Sequence, residues 1–238
     1  MTPRFYVDAP LRAGGLSTLS ENSAHHAIHV LRLRAGDEVT LFNGRGGEFA
    51  GRIAAADRLR ISVDVLQHRA VEREAPLRIT LVQAVSAGEK MDSTVRKAVE
   101  LGVAAIQPVL STRSVAKPKG ERAEGRREHW QKVVIAACEQ CGRNRIPEVR
   151  PLMAVQDYRA EEGMKLLLSP RSELSLSKAE AGEQYIVAAG PEAGFAAEEE
   201  AALAAQGFVP VKIGARVLRT ETAALAAVAA LNALRGDF

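Results

Sequence analysis

The spacing of hydrophobic positions changes character partway along the chain. Up to about residue 70 apolar residues come in short bursts of period two. Residues 4–8 read as a strand, and Ile61, Val63 and Val65 alternate with Ser62 and Asp64 as in a half-buried strand. Residues 38–42 and 48–53 flank Asn43-Gly44-Arg45-Gly46-Gly47, a hairpin signal. Only residues 24–34, stopped by Ala35-Gly36, have helical spacing. Short strands, tight turns and one small helix predict a small β-barrel over residues 1–70. Residues 70–76, charged and ending in Pro76, read as a linker, which puts a second domain at 71–238. There, strands expected at 77–85, 103–110, 165–168, 185–189 and 208–212 are interleaved with helices at 89–101, 126–141, 196–206 and 221–234. That alternation predicts an α/β domain with a parallel sheet covered on both faces.

Composition adds limits. The chain has 238 residues, 47% hydrophobic and 26% charged, the balance of an ordinary globular protein of one or two domains. Its longest Ala-rich apolar run, 223–231, is too short to span a membrane, and no secretory h-region follows Met1. Two cysteines make no disulfide framework and fit a reducing, cytoplasmic setting. The formal charge of +3 is unevenly spread: residues 113–150 hold ten Lys/Arg against five Asp/Glu, whereas 151–238 hold eight against twelve. The basic middle is either a solvated helix face or a phosphate-binding surface.

Parallel sheets bind ligands beyond the carboxyl ends of their strands, which directs attention to Gly190-Pro191-Glu192-Ala193-Gly194-Phe195 and to Gly214-Ala215-Arg216-Val217-Leu218-Arg219-Thr220. The two loops either form one pocket for an adenine-like ligand or are simple turns, with Thr220 a helix N-cap. No P-loop, dinucleotide fingerprint or nucleophile elbow is present in the α/β part. His25, His26 and His29 lack a third ligand type at metal spacing, and Cys138-Glu139-Gln140-Cys141 lacks a second cysteine pair, so no metal is expected.

These residues carry a resemblance. The two glycine loops, with Glu221-Thr222-Ala223 after the second, resemble those of the bacterial small-subunit ribosomal RNA uridine-N3 methyltransferases (the RsmE family), a branch of the SPOUT class. Further matches are Gly88-Glu89-Lys90-Met91-Asp92, Lys97-Ala98-Val99-Glu100-Leu101-Gly102-Val103, Ala137 through Arg145, Arg4-Phe5-Tyr6, and His26 with Val30-Leu31-Arg32. They run in order over essentially the whole chain; Ala193 departs from the family's usual glycine.

The resemblance implies a PUA-like RNA-binding barrel followed by a trefoil-knotted SPOUT methyltransferase domain working as a homodimer. It implies S-adenosyl-L-methionine as cofactor, held by Leu168, Gly190, Gly194, Ile213, Gly214, Arg216, Val217, Leu218, Thr222 and Ala223. The substrate would be a uridine of 16S ribosomal RNA in the small subunit. Uracil N3 must lose its proton, so Glu192 or Glu221 is expected as base, Glu221 serving equally well as a first-turn helix residue. Arg219 stays protonated and is expected to hydrogen-bond the uracil oxygens or a phosphate. Arg4, Arg32, Arg34, Arg113, Lys117, Arg143 and Arg145 are expected to contact the RNA backbone. The alternatives are a non-catalytic ribosome-assembly factor and a SPOUT enzyme modifying another RNA atom.

Overall fold

A computed structural model describes residues 2–57 and 60–238. The chain divides into two units, Met1–Glu74 with Cys138–Ile146, and Ala75–Ala137 with Pro147–Phe238. The first thus takes in a segment from far along the sequence.

In the first unit β1 (Arg4–Tyr6), β2 (Leu16–Thr18), β3 (Glu38–Phe42), β4 (Glu48–Asp57) and β5 (Arg60–Arg69) form one sheet of order β1-β3-β4-β5-β2. Only the β1–β3 pair is parallel. The expected hairpin joins β3 to β4, with Leu41 opposite Phe49. Alternation along β4 and β5 sends Ile53, Ile61, Val63 and Val65 inward onto Phe5, Val39 and Leu41. The helix expected at 24–34 is shorter and irregular. The α1 helix (Glu21–His25) starts where the Ser20 side chain caps the Ser23 amide, then widens into a π-helical turn, His26–Val30. The turn unwinds at Arg32, a non-glycine residue with φ 56°.

The segment Cys138–Ile146 is held in this unit by polar contacts that burial makes strong. Arg4 donates to Glu48 Oε2 and to Asn144 Oδ1, both at 2.6 Å. Asn144 in turn donates to the Val71 carbonyl at 2.6 Å. Arg73 reaches both Glu48 Oε2 and the Gly142 carbonyl at 3.0 Å. Burial pushes the Glu48 carboxyl up, but the Arg4 and Arg73 hydrogen bonds outweigh it and hold it below its ordinary value. Arg143, itself buried, pairs with Glu74.

The second unit contains β6 (Arg78–Ala84), α2 (Glu89–Glu100), β7 (Ala105–Leu110) and α3 (Glu121–Cys141), whose last turn belongs to the first unit. After it come β8 (Glu148–Val149), β9 (Met153–Ala154), β10 (Met164–Leu168), β11 (Gln184–Ala189), α4 (Ala197–Ala204), β12 (Val209–Val211) and α5 (Thr220–Arg235). All seven strands pair in parallel, in the order β12-β10-β11-β6-β7-β8, with β9 also on β7. One face buries Val82, Val109, Leu167 and Ile186 with Phe195, Leu203 and Phe208. By alternation Leu81, Tyr185 and Val187 point to the other. There α5 packs on β11 and β6, and α2 on α5. Strands β8 and β9, two residues each, carry no periodicity of their own and had no signal in the sequence.

Candidate functional site

Strands β10, β11 and β12 are neighbours, so their carboxyl ends lie side by side at Leu168, Ala189 and Val211. A cleft of about 280 Å³ opens there, just under the roughly 300 Å³ at which small-molecule sites begin. Three loops wall it: 169–171 after β10, 190–195 after β11 and 212–219 after β12.

The second and third loops are each shaped by an identifiable constraint. Gly190 leaves little room for a side chain, since a Cβ would lie 3.0 Å from the Phe195 amide nitrogen. Gly194 closes a turn onto the Pro191 carbonyl at 2.8 Å with φ 71°, so it needs glycine for conformation. Gly214, at φ 68°, is in the same position. The nearest atom to a Cβ there is the Arg216 guanidinium at 3.8 Å, so backbone conformation rather than crowding selects this glycine. The first turn of α5 is pinned beneath the cleft. Buried Thr220 donates its hydroxyl to the Gly190 carbonyl and accepts from Gln83 Nε2 at 3.2 Å.

Of the residues expected at the cofactor, Leu168, Gly190 and Gly194 line the cleft. So do Ile213, Gly214, Arg216, Val217, Leu218 and Ala223. Thr222 is exposed and does not; one residue pair earlier, Thr220 takes the wall position because helical spacing turns 222 away. Among the three expected catalytic residues, Glu192 lines the cleft and pairs with Lys90 at 3.1 Å. Its own backbone amide and the Lys90 ammonium hold its carboxyl below the ordinary value. Arg219 is exposed at the N-cap of α5, outside the wall. Glu221 lies in the first turn of α5, also outside the wall, with Oε2 buried and without a hydrogen-bond partner among the described residues.

The expected RNA contacts separate into two sets. Arg4 and Arg143 are committed to Glu48 and Glu74, with side chains only 7% and 5% exposed. Arg145 pairs with Glu72 but stays more than half exposed. Arg32 and Arg34 are exposed beside the π-helical turn. Arg113 lines the cleft, its guanidinium donating to the Ala193 and Phe195 carbonyls at 3.1 and 3.2 Å. Lys117 donates to the Thr112 carbonyl at 2.6 Å.

Sequence reasoning missed the 169–171 loop, where Arg171 pairs with Glu200 at 2.8 Å. The strand before it was expected, so the same strand-end rule would have found it. It also missed Glu199, which holds the 111–114 loop through the Ser111 hydroxyl and Thr112 amide, both at 2.7 Å. Burial pushes Glu199 up, but the Ala196 and Thr112 amides and the Ser111 hydroxyl bring it below its ordinary value.

The histidines and cysteines are occupied otherwise. The His25 and His29 rings lie 4.5 Å apart, and among the described residues no three His, Cys, Asp or Glu side chains gather as metal ligands. Burial pushes the Cys138 thiol up to about 12, which keeps it protonated. No helix among the described residues is long and apolar enough to cross a membrane.

Comparison with known proteins agrees with this architecture. A family model described as an RNA methyltransferase domain matches residues 73–232, and one described as an RNA methyltransferase PUA domain matches residues 19–66. A ribosomal RNA small subunit methyltransferase E of Buchnera aphidicola is 32% identical, over 99% of this chain and 95% of its own. A Legionella pneumophila protein solved as a methyltransferase with bound SAM is 37% identical with a TM-score of 0.96, each chain fully covered. A ribosomal RNA small subunit methyltransferase E of Neisseria gonorrhoeae, solved with S-adenosylmethionine, is 39% identical with a TM-score of 0.92, again over the whole of both chains.

Proposed function

Since the chain belongs to the ribosomal RNA small subunit methyltransferase E family, we propose that it transfers a methyl group from S-adenosylmethionine to N3 of a uridine in 16S ribosomal RNA. The observation that carries this is the cleft at the ends of β10, β11 and β12, on a chain whose full-length relatives were solved with that cofactor. The cleft fits such a molecule. Leu168, Ile213, Leu218 and Ala223 offer apolar walls for a purine, and Gly190 keeps its backbone free of a side chain that would crowd Phe195. When bound, the cofactor supplies a methyl group activated as a sulfonium.

The chain's own part is to align the acceptor and take its proton. Glu192 is ionised at neutral pH and sits on the cleft wall, so its carboxylate is the acceptor for the N3 proton. Glu221, off the wall, is left a helix-dipole role at the start of α5. Arg219, exposed at the rim, donates to the uracil oxygens. Arg113 holds the 190–195 loop in place through its two carbonyl contacts.

The same proposal assigns RNA binding to the first unit, a PUA-like barrel extending over residues 1–70 with Cys138–Ile146 added, and methyl transfer to a trefoil-knotted SPOUT domain. Parallel pairing of β12 and the residue after it with both sides of the 169–175 loop is consistent with such a topology: the Ser169 amide bonds the Val211 carbonyl, and the Leu176 amide bonds that of Lys212. Exposed Arg32, Arg34 and Arg145 suit a backbone-tracking surface. Homodimers in the cytoplasm, acting on the small subunit, complete the proposal; exposed Val217, Leu234 and Phe238 offer apolar surface to a second copy.

The test is to incubate the protein with methyl-labelled S-adenosylmethionine and unmodified small ribosomal subunits, then analyse nucleosides. Label in 3-methyluridine supports the reaction as written. Label in another nucleoside overturns the N3 assignment, and cofactor binding without any label on the subunit overturns the substrate.

A further inference from the structure

A second, larger cavity of about 700 Å³ lies in the same unit, at the end of β6 and between the starts of α2 and α3. Its chemistry is that of an anion site. Arg122, Arg126 and His129 recur on one face of α3 at helical spacing, and Lys117 faces in from the loop before it. Neither Arg122 nor Arg126 has an ion pair or side-chain hydrogen bond among the described residues. The nearby Asp92 carboxylate is already occupied by His129 and by the Trp130 indole N–H.

Two independent features point to a ligand. Ser86 lines the cavity, is 5% exposed, and its hydroxyl has no hydrogen-bond partner among the described residues, a state that buried polar groups rarely keep. Beside it α2, twelve residues long, begins at Gly88 with no side chain capping its first-turn amides, and uncapped helix N-termini favour anions. Gly125 adds a third sign. A glycine inside a helix costs about 1 kcal/mol against alanine, yet nothing lies within 4 Å of where its Cβ would be; the helix leaves that space open.

The cavity also adjoins the cofactor cleft. The 111–120 loop walls both, through Arg113 on one side and Lys117 on the other. Lys90, two residues past Gly88, pairs with Glu192 on the cleft wall. Resting on the methyltransferase reading above, we infer that this cavity holds a backbone phosphate of the RNA strand next to the target uridine, bound by Arg122, Arg126, Ser86 and the first turn of α2.

The probe is a fluorescent single-stranded oligouridylate, followed by anisotropy over a range of salt, which requires no catalysis. Arg122→Gln/Arg126→Gln is expected to weaken binding at least about tenfold and to flatten the salt slope by about 0.7, the value for one lost single-strand phosphate contact. Arg96→Gln/Lys97→Gln removes equal charge from the exposed face of α2 and is expected to change binding far less. Ser86→Ala is expected to weaken binding several-fold while leaving the thermal midpoint unchanged, which a purely structural serine would not do. Equal losses in the two double variants, with Ser86→Ala binding as wild type, overturn the inference. Inorganic phosphate displacing the oligonucleotide from the wild type beyond a chloride control of equal ionic strength, but not from the Arg122→Gln/Arg126→Gln variant, supports it. Phosphate that binds the wild type by calorimetry without displacing the oligonucleotide overturns it, since the site would then serve a free anion. Intact oligonucleotide binding in a protein that labels no ribosomal RNA would reject the proposed reaction and leave this site standing.

Discussion

At Glu192 the same carboxylate carries a local ion pair and the proposed proton transfer. Its Lys90 partner and its own amide keep it ionised below the usual carboxylate range, so methyl transfer is expected to be flat at neutral pH and to fall as pH drops through that lowered value. Glu192→Gln is expected to reduce turnover about 100-fold with cofactor affinity unchanged. Arg219→Ala is expected to remove activity without altering the fold, because its side chain is exposed. Labelled-methyl kinetics with calorimetry reads both, and wild-type turnover in either variant removes that residue from the site. At Gly214 the backbone decides. With φ at 68°, Gly214→Val is strained by about 1–2 kcal/mol, so cofactor affinity is expected to fall about tenfold; unaltered affinity in a titration would show that the loop after β12 does not hold the ligand.

Among the elements, the first unit depends on a polar junction more than its small sheet would suggest. Glu48 at the start of β4 receives Arg4 from β1 and Arg73 from the segment after β5. Glu48→Gln leaves the buried Arg4 guanidinium without its counter-charge, and removing one partner of a buried pair typically costs about 3–5 kcal/mol; urea denaturation of the variant checks this. The sign of the acid response follows from the same carboxylate. Glu48 and Glu199 both have folded-state values below the unfolded one. Their stabilisation is therefore present above the ordinary carboxylate value and lost as pH falls through the lowered ones. Wild-type stability is expected to drop on acidification, and Glu48→Gln is expected to flatten part of that drop.

For the whole molecule, the charge map and the folded positions have to be read together. The basic stretch 113–150 does not act as one patch: Arg143 is spent on Glu74, Arg113 on loop carbonyls, and Arg122 and Arg126 line a cavity without an ion pair among the described residues. RNA affinity is still expected to fall steeply with salt, since phosphate contacts release counterions. A salt-independent Kd for small-subunit RNA would argue against electrostatic recognition.

The residue order alone determined the alternation of strands and helices after residue 77, the β3–β4 hairpin and the two glycine loops, because side-chain periodicity and positive-φ positions are local properties. It also carried the family resemblance, and nine of the ten residues expected at the cofactor are on the cleft wall. Which strands are neighbours was settled only by folding. Strand order β12-β10-β11 brings the 169–171 loop beside two loops far away in sequence. The placement of Cys138–Ile146 with the first unit, the burial of Arg4 and the exclusion of Thr222 from the wall have the same origin. Each depends on distant partners such as Glu48 and Asn144, or on the rotation of α5, and a single sequence read residue by residue holds no term for contacts across such separations.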